Sequence, residues 1–164
     1  MNARRLGGLA LSIVALALSA CSVTPQPVTT NVGPVATPHV GSIVDAGTWR
    51  YQVVQVDLSR QIRWGQQAMD AKGFWTIVML DLTNIGNRGF TLKESDFELV
   101  DDKGTTYHSH DMSSTYAGSL GQSALGAQLA AGVKMRTTLL FDVASGTTGM
   151  KLHLVQGGPD IRLE

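Results

Sequence analysis

Phe74-Trp-Thr-Ile-Val-Met-Leu-Asp-Leu-Thr-Asn-Ile-Gly86 is the most apolar run beyond the N-terminus, and it ends in a strand-breaking cluster, Asn84-Ile-Gly86-Asn87. At period two, Phe74, Thr76, Val78, Leu80 and Leu82 share one face. Asp81 and Thr83 lie on the other at the exit end. A strand of this kind is buried on one face throughout and on both faces near its start, so it belongs in the middle of a sheet. Other period-two runs flank it. Val54, Val56 and Leu58 alternate within Trp49–Leu58. Val133, Met135, Leu139, Phe141 and Val143 are expected to face inward, with Lys134, Arg136, Thr138 and Asp142 outward. Met150, Leu152 and Leu154 mark a last main strand, and Asp160–Leu163 adds a short edge strand. Asp101-Asp-Lys-Gly104 carries hairpin chemistry between a short strand at Phe97 and a return strand over Thr105–His110. With glycine abundant (18 residues) and charge sparse, the chain reads as all-β, an antiparallel β-sandwich of about seven strands over residues 41–164.

The N-terminus carries an address. Arg4 and Arg5 precede an apolar core, Leu6–Leu18, and then small residues, which is the layout of a secretory signal over residues 1–20. The core is too short to span a bilayer comfortably, which takes about 20 apolar residues. Leu18-Ser-Ala-Cys21 resembles the bacterial lipobox. That resemblance implies a diacylglycerol on Cys21 and cleavage before it. An ordinary cleavage site would instead leave the single cysteine as a free thiol in an oxidising compartment. Two acyl chains hold a protein stably at a membrane, where one does not. Ser22, rather than aspartate, follows the cysteine, so the outer membrane is the default in a Gram-negative cell. Residues 21–40 hold four of the five prolines, Pro25, Pro27, Pro34 and Pro38, and read as a tether. In polyproline form it reaches on the order of 55 Å.

Lys and Arg balance Asp and Glu at 13 each, with no block of either sign, which speaks against a nucleic-acid partner. The partners expected are a membrane, through the lipid, and an envelope protein. Two polar segments are the working surfaces expected of the sandwich. Ser59–Gly73 reads as a connection or short irregular hairpin, where Arg60, Arg63 and Trp64 are interface candidates. Asp111–Gly126, rich in serine, alanine and glycine, is long for a connection. Trp75 reads as core or second-face packing.

No catalytic constellation emerges, and the chain reads as a non-enzyme. Gly121-Gln-Ser123-Ala-Leu-Gly126 nearly matches a nucleophile elbow, but its second glycine is one residue late and an all-β domain lacks the strand-to-helix turn. Asp101 and Asp102 are turn formers. His108-Ser-His110-Asp111-Met112 is the one metal-like grouping. Two imidazoles two residues apart on a strand point the same way, and Asp111 or Met112 closes a copper or zinc site. Two solvated histidines leading into a loop is the plainer interpretation.

The order of features carries a resemblance. The apolar strand ends in Thr83-Asn84. Phe97, Leu99, Asp101, Gly104 and Tyr107 follow in a Phe-x-Leu-x-Asp-x-x-Gly-x-x-Tyr pattern. Leu129 to Gly132 make a Leu-x-x-Gly step, and Leu139, Phe141, Asp142 and Val143 close the series. This resembles a bacterial family of extracellular and lipoprotein domains of the domain-of-unknown-function 4352 type, similar to the immunoprotective extracellular protein. The resemblance implies an immunoglobulin-like sandwich over about residues 41–156. It brings no catalytic residues. Ala131 stands where the family often has proline.

Overall fold

The computed structural model describes residues 36–123 and 125–164; the signal segment, Cys21 and the tether through Val35 lie outside them. The elements are β1 (Ile43–Ala46), β2 (Trp49–Trp64), β3 (Gln67–Asn84), β4 (Phe90–Thr91), a 3-10 turn (Glu94–Asp96), β5 (Phe97–Val100), β6 (Thr106–His108), α1 (Ser113–Ser119), β7 (Gln128–Leu129), β8 (Lys134–Val143), β9 (Lys151–Leu154) and β10 (Ile161–Arg162). One antiparallel sheet runs β1-β2-β3-β8 and a second β10-β9-β5-β6, with β4 and β7 as a small extra pair. The fold is the all-β sandwich that the alternation predicts, with eight strands in its two main sheets.

The apolar run forms the inner part of β3, between β2 and β8. Its alternation sends Thr76, Val78, Leu80 and Leu82 inward, where they meet Leu139 and Phe141 of β8 and Phe97, Leu99, Leu152 and Leu154 of the other sheet, all essentially inaccessible. Each large apolar side chain buried in this way contributes about 1.5–3 kcal/mol, so this layer dominates stability. On the other face Asp81 takes Arg136 Nε at 2.6 Å and Lys134 Nζ at 2.7 Å. The Arg136 hydrogen bonds are the main reason its carboxyl pKa is lowered to about 2, with Lys134 adding to them and burial opposing.

β2 departs from the expected pattern. Tyr51 and Val53 face inward, and a bulge between Val53 and Gln55 restores inward facing only at Val56. Val133, expected inside, is exposed, because it belongs to a turn closed by its N–H to the Ala130 carbonyl. Pro38–Val40, expected as tether, already belong to the folded body. The Arg162 N–H donates to the Pro38 carbonyl at 2.7 Å, His39 bridges Arg162 in parallel, and Val40 packs on the core.

The largest correction concerns Ser59–Gly73. It is no connection: β2 and β3 form one long hairpin that turns at Gly65 (φ 56°). Ser59 pairs with Trp75 but Gln61 pairs with Asp70, so Arg60 alone stands opposite Ala71–Phe74 and the ribbon makes a corner. Asp142 holds that corner, its carboxylate accepting the Lys72 N–H at 3.0 Å and the Gly73 N–H at 3.1 Å. Gly73 is required there, since a Cβ would stand 2.1 Å from the Val143 carbonyl oxygen. The bent tip lays Ile62, Trp64, Met69 and Ala71 against Trp75, Ile77 and Leu140, with Met112 and Tyr116 closing from the α1 side. Trp75, Ile77 and Leu140 point away from the main core, so the tip and α1 build a second apolar layer on the outside of the first sheet.

Candidate functional site at the hairpin arm

The histidine grouping is not assembled as a ligand set. β6 stops at His108, so the two histidines do not share a strand. His108 is exposed and stands 3.1 Å from Glu98. The His110 ring packs edge-on against Trp75, centroids 5.2 Å apart. Its Nδ1 lies 2.8 Å from the Asp111 carboxylate and 3.1 Å from the Met112 amide nitrogen, donating to the one or accepting from the other by tautomer. Met112 is spent in the second apolar layer. Among the described residues no group of three His, Cys, Asp or Glu side chains is placed to hold a metal ion.

Strand register makes a different row. Glu98 pairs across β5 with His108 on one side and His153 on the other, and His153 Nδ1 lies 2.9 Å from Asp160. The sequence hides this row because its members come from three strands whose register only the fold sets. The elbow-like segment is not an elbow either. Ser123 is exposed, and its N–H runs to the Arg136 carbonyl along the edge of β8. Asp101 accepts the Lys103 and Thr105 N–H groups at 2.9 and 2.7 Å, which is turn formation.

The interface candidates fall on the arm, in different roles. Trp64 is half-buried in the second layer, so much of its surface is committed. Arg63 is exposed, its Nε donating to Gln61 at 2.8 Å. Arg60, at the corner, lies with its guanidinium carbon 4.4 Å from the centroid of the Phe74 ring. One sequence signal could have found this arm: Ile62 and Trp64 alternate before Gly65-Gln66, and Met69 and Ala71 alternate after it.

At the base of the arm the two sheets part. β3 and β8 stay paired as far as Phe74 and Val143, while β9 and β5 are four residues each. Met150, just before β9, covers Thr76, whose hydroxyl donates to the Met150 sulfur at 3.8 Å. Beyond that point no strand opposes the inner face. A cleft of about 160 Å³ remains, floored by Thr76, Val143 and Met150 and walled by Leu58, Phe74 and the Gly146–Thr147 turn. Leu58 is 62% exposed there.

The model of a domain of unknown function, DUF4352, matches residues 38–160. The chain belongs to the DUF4352 family. Three solved structures share the fold of this DUF4352 domain. The yjhA protein from Bacillus subtilis is 16% identical with a TM-score of 0.58, over 77% of this chain and 99% of that one. A conserved hypothetical protein from Bacillus anthracis is 13% identical with a TM-score of 0.59, over 76% and 95%. The secreted protein MPT63 from Mycobacterium tuberculosis is 18% identical with a TM-score of 0.52, over 79% and 96%. No curated protein matches the chain. Among the described residues of this DUF4352 chain no helix is long and apolar enough to cross a membrane.

Proposed function

We propose that this chain is an envelope lipoprotein, held by a diacylglyceryl group on Cys21, whose sandwich is a non-catalytic binding module working through the hairpin arm. One observation carries the assignment to the arm. The fold spends a second apolar layer, a corner pinned by Asp142 and the helix α1 on fixing a two-stranded tip, which keeps Arg60 and Arg63 exposed on a rigid support. A side chain on a rigid ribbon binds with less ordering cost than one on a mobile loop. The anchor rests on Leu18–Cys21 and the proline-rich segment behind it, and the secreted character named for MPT63 supports an address outside the cytoplasm. The placement of His108 and His110 lends no support to the copper or zinc alternative.

Two experiments test the proposal. Metabolic palmitate labelling should mark the wild type and spare Cys21→Ala; label on both, or on neither, refutes the anchor. A photoreactive residue at position 63 in the lipidated protein should crosslink one dominant envelope protein. Equal crosslinking from an exposed position at the opposite end of the β3–β8 pair, such as Val133, would refute the arm as the working surface.

A further inference from the structure

We propose that the cleft beneath Leu58 and Phe74 binds a small carboxylic acid whose apolar part is a single aromatic ring or a group of that size. This deepens the binding-module reading and rests on it. Volume sets the size of the apolar part. At about 160 Å³ the cleft matches a cavity that takes one benzene, and falls well below a site for a larger ligand. The floor sets its character. The Thr76 hydroxyl is already given to the Met150 sulfur, and Thr147 Oγ1 donates to the Ala144 carbonyl at 2.9 Å and lies 3.1 Å from the Tyr107 hydroxyl. Both hydroxyls that line the cleft are thus engaged, whereas Leu58, Phe74, Val143 and Met150 reward an apolar guest.

The rim sets the charge. Arg60 stacks on the Phe74 wall, its guanidinium carbon 4.4 Å from the ring centroid. The acids of the flanking strands, Asp142 and Asp57, do not line the cleft. Asp142 accepts the Lys72 and Gly73 N–H groups, and Asp57, on the other face of β2 from Leu58, accepts from Gln55 at 2.7 Å. A concave apolar slot with a cation at its mouth and no carboxylate among its lining residues selects an apolar group that carries a negative charge.

Phenylacetate is the probe and 2-phenylethanol its neutral counterpart, titrated against the full chain carrying Cys21→Ser and kept unlipidated. Binding is read from the Met150 methyl and the Gly146 and Thr147 amide NMR signals. Phenylacetate should saturate these shifts at about millimolar concentration, in keeping with its size. The alcohol should bind about two- to five-fold more weakly, as expected for one partly solvated ion pair. Arg60→Gln should bring the two together, and Leu58→Asp, at an exposed position that leaves the core alone, should remove phenylacetate binding. Absence of shifts at Met150, or wild-type affinity of the alcohol equal to that of the acid, overturns the proposal. A partner crosslinked at position 63 with no shift at Met150 would refute the cleft and keep the binding module. Shifts at Met150 without any arm crosslink would keep the cleft and refute a protein partner at the arm.

Discussion

Asn84 is the residue on which the end of the central strand turns, and its replacement gives a sharp test of the energetics. It is fully buried. Its side-chain amide donates to the carbonyls of Arg88 and Leu129, both at 2.8 Å, and its oxygen accepts the Gly86 N–H at 2.9 Å. Through Leu129 it ties β3 to the β4–β7 pair. At about 1 kcal/mol net per hydrogen bond, Asn84→Ala loses about 3 kcal/mol. Arg88 is exposed and its carbonyl regains water, so the measured loss should be about 2–3 kcal/mol. Asn84→Asp has the same shape but puts a second oxygen against the two carbonyls. At neutral pH it should cost more than Asn84→Ala. Burial and those carbonyls raise the folded-state pKa of the new carboxyl above its unfolded value of about 3.9. The ionisation part of the penalty is therefore absent at acid pH, where one O–H still replaces two N–H donors, and it grows as the pH rises through that value. Urea unfolding of the unlipidated chain at several pH values reads this directly. Equal stabilities of the Asp and Ala variants at neutral pH, or an Asp variant indifferent to pH, would refute the reasoning.

Three further outcomes follow from the same geometry. Asp81 has its pKa lowered to about 2, so its ion pairs contribute fully above the ordinary carboxyl value of 3.8 and are lost as the pH falls through about 2. Asp81→Asn should flatten the acid limb of a stability–pH curve and cost about 1–2 kcal/mol at pH 7, discounted because Arg136 and Lys134 are half exposed. Gly73→Ala should cost at least about 1–3 kcal/mol, since the new methyl meets backbone, and should shift Trp75 emission to the red as the corner opens; an unchanged spectrum would count against the pinned arm. Thr137→Val should stabilise by about 1 kcal/mol, because among the described residues the buried Thr137 hydroxyl has no partner; a lower midpoint in thermal unfolding would contradict this.

The sequence revealed those parts of the molecule whose pattern is local. Val78, Leu80 and Leu82 in β3, Leu139, Phe141 and Val143 in β8 and the Asp101–Gly104 turn are all visible as alternation or turn chemistry. What it concealed depends on partners. A bulge at Val54 reverses which β2 residues face inward, and a period-two count has no means of placing an extra residue. Arg60 facing four residues of β3 is a corner written in register and in an acceptor, Asp142, 69 residues away in the Gly73 bond. Met112 and His110 looked like ligands because a short segment shows their chemistry and not the Trp75 that they cover. The cleft arises from two sheets of unequal length, which no single strand records.

The parallel bridge between His39 and Arg162 has a mechanical meaning. Tension between residue 36 and the C-terminus would load that contact in shear, because parallel neighbours are pulled from opposite ends. The bond from the Arg162 N–H to the Pro38 carbonyl and the short bridge bear that load first, with the Val40 packing and the Gly41 bonds to Val53 and Gln52 behind them. Once they yield, β1 faces β2 through four antiparallel pairs and peels from Ile43 inward, one rung at a time. Val44 and Ala46, buried in the core, resist within β1, and Trp49, buried to 1%, follows at the start of β2. Freed in full, residues 36–48 would extend over about 40 Å, at the cost of exposing Val44 and Ala46.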